Sequence, residues 1–242
     1  IEGALKLSTR ATGRSELIGA HQSYHGSTQG ALSLLGSEHQ KAAYRPLLPD
    51  TRFIHFNSEE DLMNITTKTA AVLLETIQGG AGFILPKNDY LKKVKERCEA
   101  VGALLILDEI QPGFGRTGKF FGFEHFDVKP DIVVMGKGMG GGLPIGAFTA
   151  SHKLMQLLEE QPKLGHITTF GGNPLIAAAS LATLREIRDG HLMEEISSKE
   201  ALIRDKLNHA SIREIRGTGL MLAPLFENPV IANQVVLKSI ER

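Results

Sequence analysis

Cysteine is nearly absent: Cys98 is the only one in 242 residues. An internal disulfide framework is therefore excluded, and a reducing, cytoplasmic setting is expected. Net charge is absent too, with 27 Lys and Arg against 27 Asp and Glu. That balance argues against a nucleic-acid-binding surface as the main function. No apolar run approaches the ~18 residues that a membrane helix needs. The sequence has no C-x-x-C, no H-E-x-x-H and no G-x-S-x-G, so neither a metal site nor a hydrolase elbow is indicated. Internal repeats and low-complexity segments are missing as well. What is present is an ordinary globular composition, 42% hydrophobic, in a chain long enough to bury a core without disulfides. Glycine is in excess, with 26 residues clustered beside polar ones. Such clusters suit loops where backbone approaches a ligand.

Apolar runs alternate with amphipathic stretches. Candidate strands are Glu16–Ala20, Arg52–Phe56, Ala70–Leu74, Ala103–Leu107, Ile132–Met135 and Ile145–Ala150. Ser58 and Asp61 form a capping-box pattern ahead of Leu62 and Ile65. Asn88 precedes a helix that Gly102 closes, and Asn173-Pro174 opens one that runs to Asp189. Strands with no polar face, separated by helices, predict an α/β fold: a mostly parallel sheet covered on both sides. Residues 211–226 read as a short β unit. The expected division is a large domain over 1–208 and the start of a small C-terminal domain over 209–242. Both ends read as helix without stop or start signals, so the chain is expected to be a segment of a longer polypeptide.

Parallel strands place their ligand sites at their carboxyl ends. Here those ends lead to Tyr24-His25-Gly26, to Glu75, to Asp108-Glu109-Ile110-Gln111 and to Gly136-Lys137-Gly138. Each also has a plain structural reading: Asp108 as a turn residue, Glu75 as a structural carboxylate, Tyr24 and His25 as core or cap residues, Lys137 as a solvated charge. Thr168 and Thr169 either end a strand or face the helix that starts at Pro174, where a phosphate could bind. Gly136 to Gly141 matches G-x-G-x-x-G literally, but Gly142-Leu143-Pro144 follows instead of a helix, so the dinucleotide reading fails. A glycine-flanked strand-end lysine with a strand-end aspartate fits pyridoxal phosphate, which needs a lysine for a Schiff base and an acid for its ring nitrogen.

The chain resembles the class III pyridoxal-phosphate-dependent aminotransferases, the acetylornithine/ornithine group of fold type I. The resemblance rests on Tyr24-His25-Gly26, Glu75 to Gly79, Leu107 to Gly118, Pro130-Asp131-Ile132, Gly136-Lys137 to Gly146 and Thr169 to Pro174, in family order along the whole chain. It implies a seven-stranded-type, mostly parallel sheet and a homodimer with shared active sites. Lys137 would carry pyridoxal 5'-phosphate and shuttle the proton, and Asp108 would pair with the pyridine nitrogen. Gln111 would bond the phenolic oxygen, Tyr24 and Ile110 would cover the two ring faces, and His25 and Glu75 would lie close by. Thr169 would reach the neighbouring subunit's cofactor phosphate. The implied reaction moves an amino group, from acetylornithine, ornithine or a similar amino acid, to a 2-oxo acid such as 2-oxoglutarate by a ping-pong cycle. Other members of the family (4-aminobutyrate or lysine aminotransferases, decarboxylases, racemases, aminomutases) share Lys137 and Asp108, and a non-catalytic cofactor-binding protein is the rival from another class. One departure stands out: Gly80 occupies the place of a glutamate that the family commonly carries.

Overall fold

The first helix, α1 (Glu2–Thr12), turns Ala4, Leu5 and Leu7 inward and ends at Gly13, whose left-handed backbone (φ 67°) releases the chain. It leads into β1 (Glu16–Ala20). Two short helices, α2 (Gln29–Ser33) and α3 (Glu38–Lys41), precede β2 (Thr51–Ile54). Then come β3 (Thr69–Glu75), α4 (Tyr90–Val101), β4 (Leu104–Asp108), β5 (Ile132–Gly136) and β6 (Gly146–Ala150). The chain continues through α5 (His152–Met155), α6 (Pro174–Asp189) and α7 (Ile196–Lys206) to β7 (Ile212–Thr218), β8 (Met221–Phe226) and α8 (Pro229–Ile240). This computed structural model describes residues 1–159 and 161–241.

β1 to β6 form one sheet in the order β2-β1-β3-β4-β5-β6. Pairing is parallel from β2 through β5, and β6 runs antiparallel to β5 with Gly136 opposite Gly146. Side chains alternate across the sheet with period two. Ile18, Val72, Leu74, Leu105 and Leu107 face Tyr90, Leu91, Val94 and Cys98 of α4. Leu17, Leu73, Ile106 and Val134 face Ala4, Leu5 and Leu7 of α1. Every residue of β3 is buried, as a strand with helices on both sides requires. Burial pushes the Cys98 thiol up to about 12, so it stays protonated and inert. β7 and β8 pair antiparallel with each other alone. Arg204 of α7 donates to the carbonyls of Ile215 and Gly217, and Leu220 N–H donates to Arg116 O, so the hairpin is tied to the large sheet's loops.

The six apolar runs all become strands of the main sheet, β1 with its bounds as read. Among the described residues that sheet has six strands, and β7 and β8, in the stretch read as the start of a second domain, pair with each other. The Ser58 signal produces only a 3₁₀ turn over Glu60–Asn64. Asp61 N–H does donate to Ser58 Oγ (3.3 Å), but the Asp61 carboxylate turns to His55, accepting from its N–H at 2.6 Å. The box is left half closed. α4 starts without a side-chain cap, since Asn88 and Asp89 both take left-handed backbone. α6 has the predicted bounds, and Asn173 Oδ1 accepts from Leu175 N–H and Ile176 N–H.

Arg14 staples α4 to the sheet. Its Nη1 donates to the carbonyls of Thr69 (2.9 Å), Val101 (2.9 Å) and Gly102 (3.0 Å). Arg14→Met keeps the stem and removes the donors, and should cost about 2 kcal/mol of unfolding free energy, read from urea titration.

Candidate active site

The carboxyl ends of β1, β3, β4 and β5 open into a cleft of about 440 Å³. Tyr24, His25, Glu75, Asp108, Ile110, Gln111 and Lys137 all line it. Thr169 does not; it is exposed, just ahead of α6.

Asp108 ends β4 and is held from two sides. His25 Nδ1 lies 2.8 Å from Oδ2, and Ile110 N–H donates to Oδ1 at 3.0 Å. Both partners of the His25–Asp108 pair are buried, with side chains 0% and 6% exposed. A carboxylate there needs the donor as Nδ1–H. Among the described residues His25 Nε2 is buried without a hydrogen-bond partner.

Glu75 ends β3 directly opposite Asp108. Its Oε2 accepts from Tyr24 N–H (3.2 Å), and its Oε1 accepts from Gly79 N–H (3.0 Å) and Gly80 N–H (3.4 Å). It thus fastens the two loops on either side of the cleft, so its plain structural reading has substance. Burial raises its pKa, with His25 and the Tyr24 and Gly79 amides opposing the rise and Asp108 adding to it. Gly79 sits where a Cβ would come within 2.7 Å of Gln111 Oε1 and 3.2 Å of Glu75 Oε1, so a side chain there would push the Gln111 amide aside. A Cβ at Gly80 would meet Gln22 O at 2.7 Å. The loop is therefore arranged for glycine at the departing position, and a side chain there requires the backbone to shift.

Lys137 opens a 3₁₀ turn (Lys137–Gly140) after β5. It has φ 45°, in the left-handed region that a side chain disfavours, a strain on the order of 1 kcal/mol. Gly141 closes the turn so tightly on α6 that a Cβ there would lie 2.2 Å from Thr183 Oγ1. Packing against α6 therefore holds the turn in place. Among the described residues Lys137 makes no hydrogen bond or ion pair, and it is exposed at the cleft. Tyr24 is half exposed beside it, with its hydroxyl 3.4 Å from Ser27 Oγ.

Sequence reasoning gathered the cleft residues but missed two links. The His25–Asp108 bond joins positions 83 apart. Glu109, next to Asp108, is wholly buried and accepts from Thr76 Oγ1 (2.5 Å), Phe123 N–H (2.9 Å) and Gly122 N–H (2.8 Å). A signal was available for the second, since Glu109 stands only two residues beyond the apolar run that ends at Leu107.

Among the described residues no group of His, Cys, Asp or Glu is arranged to hold a metal, and no helix is long and apolar enough to cross a membrane. Residues 1–242 match the family described as Aminotransferase class-III. The LysW-aminoadipate semialdehyde/glutamate semialdehyde transaminase of Sulfurisphaera tokodaii is 38% identical over 227 residues, covering 92% of this chain and 58% of that protein. The acetylornithine aminotransferase of Methanosarcina acetivorans is 42% identical over 238 residues, covering 95% and 58%. This chain thus spans 58% of the length of these relatives. Among solved structures, an ornithine aminotransferase from Toxoplasma gondii superposes with a TM-score of 0.89 at 32% identity, over 99% of this chain and 61% of that one. The taurine:2-oxoglutarate aminotransferase of Bifidobacterium kashiwanohense, solved with PLP and glutamate, gives 0.82 at 28% identity, over 93% and 57%.

Burial pushes the Glu109 carboxyl up to about 7, against the opposing pull of Thr76, Gly122 and Phe123. A raised carboxyl holds a proton in the folded state that the unfolded chain has already released. Its contribution therefore favours folding below the ordinary value of 4.5 and is lost as pH rises through about 7. Glu109→Gln removes that loss. Between about pH 5 and 8, the variant should gain up to about 3 kcal/mol relative to the parent, read from denaturant melts at stepped pH. A constant difference across that range would refute the assignment.

Proposed function

The chain belongs to the class III aminotransferases, and from that premise we propose that it is a pyridoxal-phosphate-dependent transaminase. In this reading it takes an amino group from acetylornithine, ornithine or a similar amino acid and gives it to a 2-oxo acid such as 2-oxoglutarate, in a ping-pong cycle. One observation carries the reading: an unpaired lysine, a buried aspartate fixed by a histidine, and an aromatic ring share one cleft at the carboxyl edge of the sheet. The donor set fits the cofactor. Lys137 offers an unpaired Nζ, Asp108 a buried carboxyl group for the ring nitrogen, and Tyr24 and Ile110 two apolar surfaces.

Bound there, pyridoxal phosphate supplies an electrophilic carbon and a ring that takes up electrons from the substrate carbon. Lys137 Nζ holds the cofactor in the resting protein and then moves the proton to and from the substrate carbon. Its freedom from ion pairs leaves the amine available for both tasks. Asp108, with one oxygen fixed by His25 and the other by Ile110 N–H, holds the proton on the ring nitrogen. Because both oxygens are already oriented, no reorganisation is needed as charge develops. Gln111, set against Gly79, would bond the cofactor's phenolic oxygen. Glu75 keeps the Tyr24 backbone in place in the cleft wall.

Lys137 is the one cation in the cleft lining among the described residues. This supports a phosphate partner from outside the lining, and Thr169 of a second copy, next to the α6 N-terminus, is the proposed one. The active unit is then a homodimer. Residues 1–208 act as the cofactor-binding domain, with 209–242 opening a second one, a division supported by the separate β7–β8 sheet. The amino donor follows the names of the relatives, and the cytoplasmic setting follows the single cysteine.

Borohydride reduction of the cofactor-loaded protein, followed by peptide mass mapping, should place the pyridoxyl mass on Lys137. A label on any other lysine sinks the assignment. Asp108→Asn should retain cofactor absorbance while kcat falls at least about a hundredfold, because the ring nitrogen loses its anionic partner. Near-normal turnover in that variant would remove Asp108 from the mechanism.

A further inference from the structure

Glu109 is the one cleft-adjacent carboxylate to which the functional reading gives no task. Its side chain has 0% exposure. No cation accompanies it among the described residues; its partners are a hydroxyl and two backbone amides. Asp108, the preceding residue, adds like charge. A buried carboxylate so placed weakens the fold unless its hydrogen bonds achieve something that an apolar side chain could not.

What those bonds hold is specific. Thr76 directly follows Glu75 at the end of β3. Gly122 and Phe123 lie where the loop leaving β4 returns, and that loop begins with Ile110, Gln111 and Pro112 in the cleft wall. The Glu109 backbone takes part as well: its N–H donates to Val134 O of β5 at 2.9 Å, and its carbonyl accepts from Gly113 N–H at 3.0 Å. The loop closes on the carboxylate without slack. A Cβ at Gly122 would lie 2.9 Å from Pro112 Cβ and 3.3 Å from Glu109 Oε1, and one at Gly113 would lie 2.6 Å from Glu109 O. On the other side, Gly79 presses on Gln111 and hangs from Glu75. Gln111 therefore sits between two loops, each pinned by a buried carboxylate.

We propose that Glu109 is a positioning residue: its carboxylate fastens the return of the 110–121 loop to the end of β3 and so fixes where Gln111 and Ile110 meet the cofactor. A glutamine cannot replace it fully. Three donors converge on the two oxygens, and an amide must turn its own N–H groups toward at least one of them.

The inference rests on the transaminase reading for its cofactor measurement alone; the fastening is tested without cofactor. In the full-length protein, Glu109→Gln and Thr76→Val are compared with the parent. Amide hydrogen exchange on cofactor-free protein should be about tenfold faster at Gly122 and Phe123 in Glu109→Gln, with Leu105 and Leu107 unchanged. Titration with pyridoxal phosphate, followed by absorbance, should show about tenfold weaker binding while the melt at about pH 8 stays close to the parent's. Thr76→Val removes one bond and should move both readouts in the same direction by less; if Glu109→Gln does not fold, it decides the question alone. Unchanged exchange at Gly122 and Phe123 overturns the proposal. So does an affinity loss matched by an equal loss of global stability, which marks a merely structural role. If the parent itself does not take up pyridoxal phosphate, the transaminase reading fails, and the exchange data still decide the fastening.

Discussion

Parallel strands present their carboxyl ends to one edge, and the register of β3 against β4 sets Glu75 opposite Asp108. The rest of the cleft depends on that pairing. It places the anchor of the Tyr24 loop beside the aspartate that His25 holds, and it brings Thr76 within reach of Glu109. A shift of one residue would turn every side chain of the strand to the opposite face. The register is protected by the two-sided core. Leu73 and Ile106 belong to the cluster under α1, while Val72, Leu74, Leu105 and Leu107 belong to the one under α4.

The cost of this edge is electrostatic. Glu75, Asp108 and Glu109 are three carboxyl groups at the ends of two neighbouring strands, all at most 8% exposed. Among the described residues, only His25 and a set of backbone and hydroxyl donors accompany them. Burial raises both glutamates. The apolar sheet behind them offsets that cost, at about 25 cal/mol for each Å² of apolar surface removed from water.

Local signals were legible where local chemistry decides. Asn173-Pro174 and Gly102 marked helix ends because caps and left-handed glycines act over a few residues. The strands were legible because burial on both faces leaves an unbroken apolar run. Ser58 misled because its box partner, Asp61, found a stronger partner in His55. The cleft was legible as a set of strand ends, once the strands were taken as parallel. Its internal wiring was not: His25 reaches Asp108 across 83 positions, and Glu109 reaches Thr76 across 33. No spacing rule covers contacts that only the folded sheet creates.

Lys137 sits on the connection between two antiparallel neighbours, closed at its base by the Gly136–Gly146 pair. Most strands of this sheet hand the chain to a long crossover, but this one doubles straight back. The root of the lysine is therefore clamped by both strands, while α6 presses on the turn beyond it. Whatever stroke the amine makes belongs to its four-carbon stem and not to the main chain. Rotations of such a stem take picoseconds to nanoseconds, whereas loop closures run to microseconds or longer. The amine is a short swinging arm on a fixed pivot, and its reach, set by the pivot, defines how far from β5 a reacting carbon can lie.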